Sequence, residues 1–254
     1  MLVDTHCHLD FYPAERRAEL VANAKDAGVG YILNVGARLE TLDEVIAIAN
    51  GFENVFAAIG QHPEEANGEQ ITADGLIALS KKSPKIIAIG EAGLDYHYDG
   101  FDRVRQEKLL REHITAARAT GLPVLIHNRD SSDDMVRIVA DEMKKGAFNM
   151  VLHCFTGDAK FGEAMMEMGA YISASGIITF PKSAELREAF RTVPLERLLV
   201  ETDAPFLAPK SHRGKENQSA FVAETARTLA DIKGVSFEEI SKITTDNFRK
   251  LFRI

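Results

Sequence analysis

The sequence predicts a TIM-type (β/α)8 barrel forming a single domain over residues 1–254. Three observations carry that expectation. Short apolar, β-branched runs recur eight times; longer helical patterns lie between them; and several runs lack polar alternation, as parallel strands buried on both faces should. The rival is an open, doubly wound sheet. No Gly-x-Gly-x-x-Gly follows the first run, which removes the fingerprint of its dinucleotide-binding version.

The first strand is expected at Leu2–Thr5, followed by a helical pattern over Ala14–Ala27. A second strand, Tyr31–Val35, leads to a helix over Leu39–Asn50, and a third lies at Val55–Ile59. The fourth, Ile86–Gly90, precedes a long helix over Phe101–Thr120, which Gly121 stops before Leu122-Pro123. The fifth strand, Val124–Ile126, is paired with a helix over Ser131–Lys145. Strands six to eight fall at Met150–Leu152, Ala170–Ala174 and Leu198–Val200, with Gly169 as the helix stop before the seventh. Met165, Met166 and Met168 read as core filler on the helix before it. Helices near Ser219–Lys233 and Phe237–Phe252 end the chain. No linker composition or low-complexity tract divides it.

Composition narrows the function classes. With 45% hydrophobic and 27% charged residues, the chain reads as a globular protein. It has no apolar run near the roughly 20 residues that cross a bilayer. The N-terminus begins Leu2-Val3-Asp4, without the basic and apolar segments of a secretory leader, and the two cysteines do not form a disulfide framework. These features predict a cytoplasmic protein with no membrane association and no obligatory protein partner. A net charge of -8 lacks the broad basic footprint of a protein that coats nucleic acid. It leaves room for a local cationic site holding one or two phosphates, and so for contact with polyanion ends or short stretches.

Asp4-Thr5-His6-Cys7-His8 places two imidazoles two residues apart, where a strand projects side chains to one face. Neutral imidazole is a common ligand for divalent transition metals, but a lone His-x-His is more often structural or accidental. Barrel geometry sharpens it, because functional side chains gather at the C-terminal ends of strands. His6 and His8 end the first strand, Glu91 the fourth, His127 the fifth, His153 the sixth and Asp203 the eighth. Six ligand-type residues exceed one tetrahedral site with an open position, and they suit two metals bridged by a carboxylate. Glu91 is the expected bridge, with His6, His8 and Asp203 completing one site and His127 and His153 the other. Two divalent ions outweigh the two carboxylates and one hydroxide, so such a centre favours an anionic substrate.

At these residues the sequence resembles the TatD-type deoxyribonucleases, a branch of the metal-dependent amidohydrolase superfamily. The matching motifs are Asp4-Thr5-His6-Cys7-His8, Gly60-Gln61-His62-Pro63, Gly90-Glu91-Ala92-Gly93-Leu94-Asp95, His127-Asn128-Arg129, His153-Cys154-Phe155-Thr156-Gly157 and Glu201-Thr202-Asp203-Ala204-Pro205. They run in order over nearly the whole chain. The resemblance implies a barrel, two divalent ions (Zn2+, Mg2+ or Mn2+) and hydrolysis of DNA phosphodiesters, with the same six residues as ligands. Glu91 separates the chain from superfamily members bridged by a modified lysine. One departure lies after the eighth strand. Family members often show Arg-Gly-Lys-x-Asn-x-Pro, whereas this chain reads Arg213-Gly214-Lys215-Glu216-Asn217-Gln218-Ser219.

Further roles are expected around the ligands. Glu91 and Asp203 are the catalytic carboxylates, Asp203 being read both as a plain ligand and as the acceptor of the water proton. Arg129 is placed to fork onto a phosphate, against an ordinary surface ion pair. His62 is a donor to substrate or a loop hydrogen-bonding group; Arg213 and Asn217 are substrate-loop candidates or solvated loop. Asp95 and Glu201 are expected to orient ligands, His113 to be structural, and Cys7 and Cys154 to pack. The leading expectation is a DNase acting on exposed ends or single strands of DNA. The alternative keeps the metals and changes the bond, to another ester or amide such as D-aminoacyl-tRNA.

Overall fold

The computed structural model describes every residue from Met1 to Ile254. Eight parallel strands stand side by side in sequence order. β1 (Leu2–Cys7), β2 (Val29–Val35), β3 (Val55–Ile59) and β4 (Ile86–Asp95) alternate with α1 (Ala14–Asp26), α2 (Leu42–Gly51) and α3 (Ala73–Ser80). Then follow α4 (Arg103–Thr120), β5 (Val124–Arg129), α5 (Ser132–Lys145), β6 (Met150–Leu152), α6 (Ala159–Glu167), β7 (Tyr171–Ala174), α7 (Ala184–Thr192) and β8 (Leu198–Val200). Two helices, α8 (Val222–Lys233) and α9 (Phe237–Phe252), end the chain. The expected barrel is the observed one.

The seam between β1 and β8 closes at its C-terminal end. The Asp203 N–H donates to His6 O at 2.9 Å, and the His8 N–H donates to Ala204 O at 2.7 Å. Closure and site assembly are therefore the same event, since these bonds bring three expected ligands together. Alternate strand residues face opposite ways. Val3, Leu33, Leu125, Val151 and Leu199 gather with Phe248 and Phe252 of α9 in one cluster, while Leu2, Ile32, Val124, Met150 and Leu198 pack in the larger core that the other helices cover. α9 thus plugs one end of the barrel and leaves the other for chemistry.

Several expected boundaries move, for local reasons. The Leu39–Asn50 and Ser219–Lys233 patterns each begin as a separate 3-10 turn, Leu39–Thr41 and Ser219–Phe221, before the α-helix starts. Asp102 caps α4 by accepting from the Val104 and Arg105 N–H groups, so that helix starts at Arg103 rather than Phe101.

The larger correction concerns β4, which continues to Asp95 instead of stopping at Gly90. Glu91 therefore sits within the strand, at a bulge where β4 carries one more residue than β5 between Ile89 and Ala92. β5 likewise extends through His127 to Arg129. Gly90 has φ +130°, and a Cβ there would lie 2.8 Å from Leu125 O; at Gly93 a Cβ would lie 1.9 Å from His127 O. Only glycine lets β4 approach β5 this closely, and that approach sets His127 beside Glu91.

Candidate metal centre

β1 carries a comparable bulge, one residue longer than β2 between Asp4 and Cys7, next to His6. Although the strand ends at Cys7, His6 and His8 still converge, with their Nε2 atoms 3.3 Å apart. Cys7 turns the other way, into the core beside Leu33 O. Glu91 then presents one oxygen to each of two groups of candidate ligands. Oε2 lies 3.4 Å from His6 Nε2 and 3.8 Å from His8 Nε2, while Asp203 Oδ1 lies 3.8 Å and 3.5 Å from the same two nitrogens. Oε1 lies 2.7 Å from His153 Nε2 and 3.0 Å from His127 Nδ1, and those nitrogens are 3.3 Å apart. Ligands at zinc-type bond lengths around a tetrahedron stand about 3.3–3.4 Å apart. The donor set fits divalent cations in both chemistry and spacing.

The outward nitrogens explain which lone pairs face inward. His8 Nδ1–H donates to Val35 O at 2.8 Å, His127 Nε2–H to Asp95 Oδ2 at 2.9 Å, and His153 Nδ1–H to Glu201 Oε1 at 3.2 Å. Carbonyl and carboxylate oxygens accept only, so each of these rings keeps a proton on its outward nitrogen and turns its other nitrogen to the centre. Asp95 is itself held, by the His97 N–H at 3.0 Å and by Gln106 on its backbone, and Glu201 Oε1 also accepts the Cys154 N–H at 2.8 Å. The expected orienting roles of Asp95 and Glu201 have this geometric support. Cys154 (φ +42°) and Asp203 (φ +57°) both adopt a left-handed backbone, an energetic cost concentrated at the centre. Asp4 helps hold that conformation. Its buried carboxylate accepts from Thr202 N and Oγ1 at 2.8 and 2.6 Å, and burial raises its carboxyl to about 7 despite these bonds.

Charges in the centre are strongly coupled. Burial alone would raise the Glu91 carboxyl, but His153, His62 and His6 hold it well below the carboxylate range. Burial opposes protonation of His8, yet the hydrogen bond and charge of Asp203, then Glu91, push it up to about 9. His153 is raised well above its ordinary value by Glu91 and Glu201 against the same burial. His6 is lowered, by burial and by His153, on which its ring stacks at 3.9 Å. Two stacked imidazolium ions would repel, so His6 stays neutral and retains a lone pair to give.

His62 also reaches this cluster, its Nε2 lying 3.6 Å from Glu91 Oε1. Its Nδ1 accepts the Glu64 N–H at 3.2 Å. Burial lowers it to about 3, so the ring is neutral and carries its single proton on Nε2. It offers the centre a donor, not a lone pair. Arg129 lines the cavity, its guanidinium 5.1 Å from the Tyr98 ring. Asn217 departs from expectation. It is buried, and its Nδ2 donates to Thr202 O and Phe206 O at 2.9 and 2.6 Å, so it fastens the β8 loop from within instead of facing substrate. Tyr12 hydroxyl donates to its carbonyl from the other side. Arg213 is exposed, over the Phe180 ring at 5.6 Å, and does not line the cavity. His113 is structural, as expected, accepting the Gln61 N–H and donating to Leu109 O. Cys154 is not simple packing: it lines the cavity, and its thiol donates to Ser175 Oγ.

The cavity above the centre measures about 820 Å3, within the usual range for small-ligand sites. Its mouth carries three aromatic rings that the sequence reading missed: Phe11, Tyr98 and Phe206. Their position just downstream of ligand motifs was the available signal. No helix is long and apolar enough to cross a membrane.

Known proteins similar to this chain include metal-dependent hydrolases. The family model described as TatD related DNase matches residues 3–253. The uncharacterized metal-dependent hydrolase YcfH of Escherichia coli K12 is 40% identical over 257 residues, covering all of this chain and 96% of that relative. The uncharacterized metal-dependent hydrolase YabD of Bacillus subtilis is 38% identical over 257 residues, covering both chains fully. Among solved structures, the TatD homolog YjjV of Escherichia coli K12 superposes with a TM-score of 0.92 at 30% identity, covering 100% of this chain and 98% of that one.

Proposed function

The chain belongs to the TatD-related DNase family of metal-dependent hydrolases, and from that premise we propose that it hydrolyses DNA phosphodiester bonds at exposed or single-stranded ends, using two divalent ions. The observation that carries this reading is the division of Glu91, one carboxylate oxygen facing His6 and His8 and the other facing His127 and His153. His6, His8 and Asp203 would hold one ion, His127 and His153 the other, and Glu91 would span both. When bound, the ions supply Lewis acidity, lowering the pKa of water and neutralising charge on phosphoryl oxygens.

The protein's own groups divide the remaining work. Burial would raise Asp203, but His8, His6 and His153 hold its carboxyl below the ordinary value; it therefore stays ionised and can accept a proton from the attacking water. His62 presents Nε2–H, placed to donate to a substrate or leaving oxygen. Arg129 provides a guanidinium on the cavity wall to bind and orient a phosphate. Asp95 and Glu201 keep the His127 and His153 rings in one orientation, so no reorganisation is needed at the moment of reaction.

Purified protein supplied with Mg2+, Mn2+ or Zn2+ should cleave single-stranded DNA, and Glu91→Ala should abolish the cleavage. A variant that cleaves at the wild-type rate would overturn the reading. Hydrolysis of D-aminoacyl-tRNA much faster than any DNA would replace the substrate while keeping the centre.

A further inference from the structure

We infer that Phe11 and Phe206 form a nucleobase-stacking platform beside the metal centre, which selects an unpaired terminal nucleotide; the inference rests on the reading of the substrate as DNA. Large exposed apolar side chains are few in this protein: Met1, Phe11, Tyr98, Val104, Phe206 and Ile254. Three of these six line the single cavity over the centre, so the exposure is concentrated there instead of scattered. Phe11 and Phe206 pack edge to face, with centroids 5.7 Å apart and an interplanar angle of 72°. Both rings also meet the His8 imidazole edgewise, at 5.2 and 6.2 Å. Phe206 is 49% exposed and Phe11 38%, so each keeps an open surface although its position is fixed.

Chain connectivity ties the platform to the chemistry. Phe11 ends the short turn Leu9–Phe11 that follows His8, and Phe206 follows Asp203-Ala204-Pro205. Each ring stands three residues beyond a ligand. The Phe206 N–H donates to Asp203 O at 2.9 Å, and the Asn217 amide holds Phe206 O. The Arg38 guanidinium lies over the Phe11 ring, 5.3 Å from its centroid, adding positive charge on that face and leaving the other face for a base.

Charge and depth decide what the rings take. The chain's net charge of -8 gives no basic track along which many phosphates could be neutralised. Stacking gives a grip on single strands that tolerates any base, because every base has a π-face. Glu91 is 3% exposed at the cavity floor, so a phosphate reaches it only if its nucleotide leaves the duplex stack. An aromatic ledge beside the floor offers the displaced base a partner.

The test compares a 5′-fluorescein single-stranded oligonucleotide with the same strand carrying base-free tetrahydrofuran residues at its terminal three positions on both ends. The metal-loaded wild type should cleave the base-bearing strand with about 10- to 100-fold higher kcat/KM. Phe206→Ala and Phe11→Ala should bring that ratio to within about threefold, and Phe206→Trp should restore it. Variants that slow both strands equally would show only a hydrophobic cap on the centre and would overturn the platform, as would an unaltered ratio. Metal content and melting temperature of each variant separate loss of the platform from loss of the centre. Should the wild type cleave no DNA, the nuclease reading fails on its own. Fluorescence anisotropy of the same strands in EDTA then judges the platform: preference for the base-bearing strand, lost in Phe206→Ala, supports it, and equal binding overturns it.

Discussion

On the α4–α5 flank, Glu107 meets Arg111 and Arg137, and buried Glu142 meets Arg111, Arg118 and Lys145 at 2.6–3.1 Å. At the barrel mouth, the ion-pairing partners of Glu91, Asp95, Glu201 and Asp203 are all imidazoles. Both regions collect carboxylates, and in both the helices or strands hold them close. The flank neutralises itself with permanent cations. The mouth does not: its partners are titratable imidazoles, which can give up a proton to a cation and turn a ring nitrogen toward the same point as the carboxylates. A cluster of acids completed by guanidinium is architecture, whereas one completed by imidazole can exchange protons for an external cation.

Variants at the two regions should therefore behave differently. Glu91→Gln removes the charge shared by both ligand groups. It should lower kcat/KM on DNA by about 10^3-fold or more, several kcal/mol of transition-state stabilisation, with little change in the circular dichroism of the fold. Addition of Zn2+ or Mn2+ at about a hundred times the dissociation constant should raise the melting temperature of the wild type by about 5–10 °C, an effect EDTA reverses and Glu91→Gln removes. Protons compete with cations for His8, His127 and His153, all raised by neighbouring carboxylates, so this rise should shrink as pH falls. Asp95→Asn should weaken metal binding by about 10- to 100-fold in a competition titration while leaving the apo melting temperature nearly constant.

Glu142→Gln gives the opposite pattern: about 1–2 kcal/mol less stability at neutral pH, read by urea denaturation, with turnover preserved. Burial would raise the Glu142 carboxyl, but Lys145, Arg111 and Arg118 hold it below its ordinary value. A depressed carboxyl contributes stability above its unfolded value near 4.5, and that contribution is lost as pH falls through the lower folded value. The gap between wild type and variant should therefore be full at pH 7 and narrow as pH falls below about 4.5. If Glu142→Gln instead abolished turnover, or Glu91→Gln only lowered stability, the contrast between the two regions would be wrong.

Strand ends were legible in the sequence because buried parallel strands are short apolar runs, and a polar residue closing such a run stands out. That is why His6, His8, His127, His153 and Asp203 stand out in the sequence as residues of one barrel rim. Two features escaped for a common physical reason. The bulges at His6 and Glu91 and the continuation of β4 to Asp95 depend on cross-strand register, which one strand's pattern does not record. Asn217 was misplaced because a buried amide satisfied by backbone carbonyls and an exposed one reaching for phosphate have the same local sequence. The aromatic mouth went unread because Phe11 and Phe206 are 195 residues apart and meet only when the β1–β8 seam closes.

Anomalous diffraction from crystals of the wild type equilibrated with Mn2+ or Zn2+ tests the shared-carboxylate centre most directly. Two peaks flanking Glu91, one among His6, His8 and Asp203 and one between His127 and His153, are expected. A single peak that leaves either group of histidines without an ion, or peaks in which Glu91 takes no part, would contradict it.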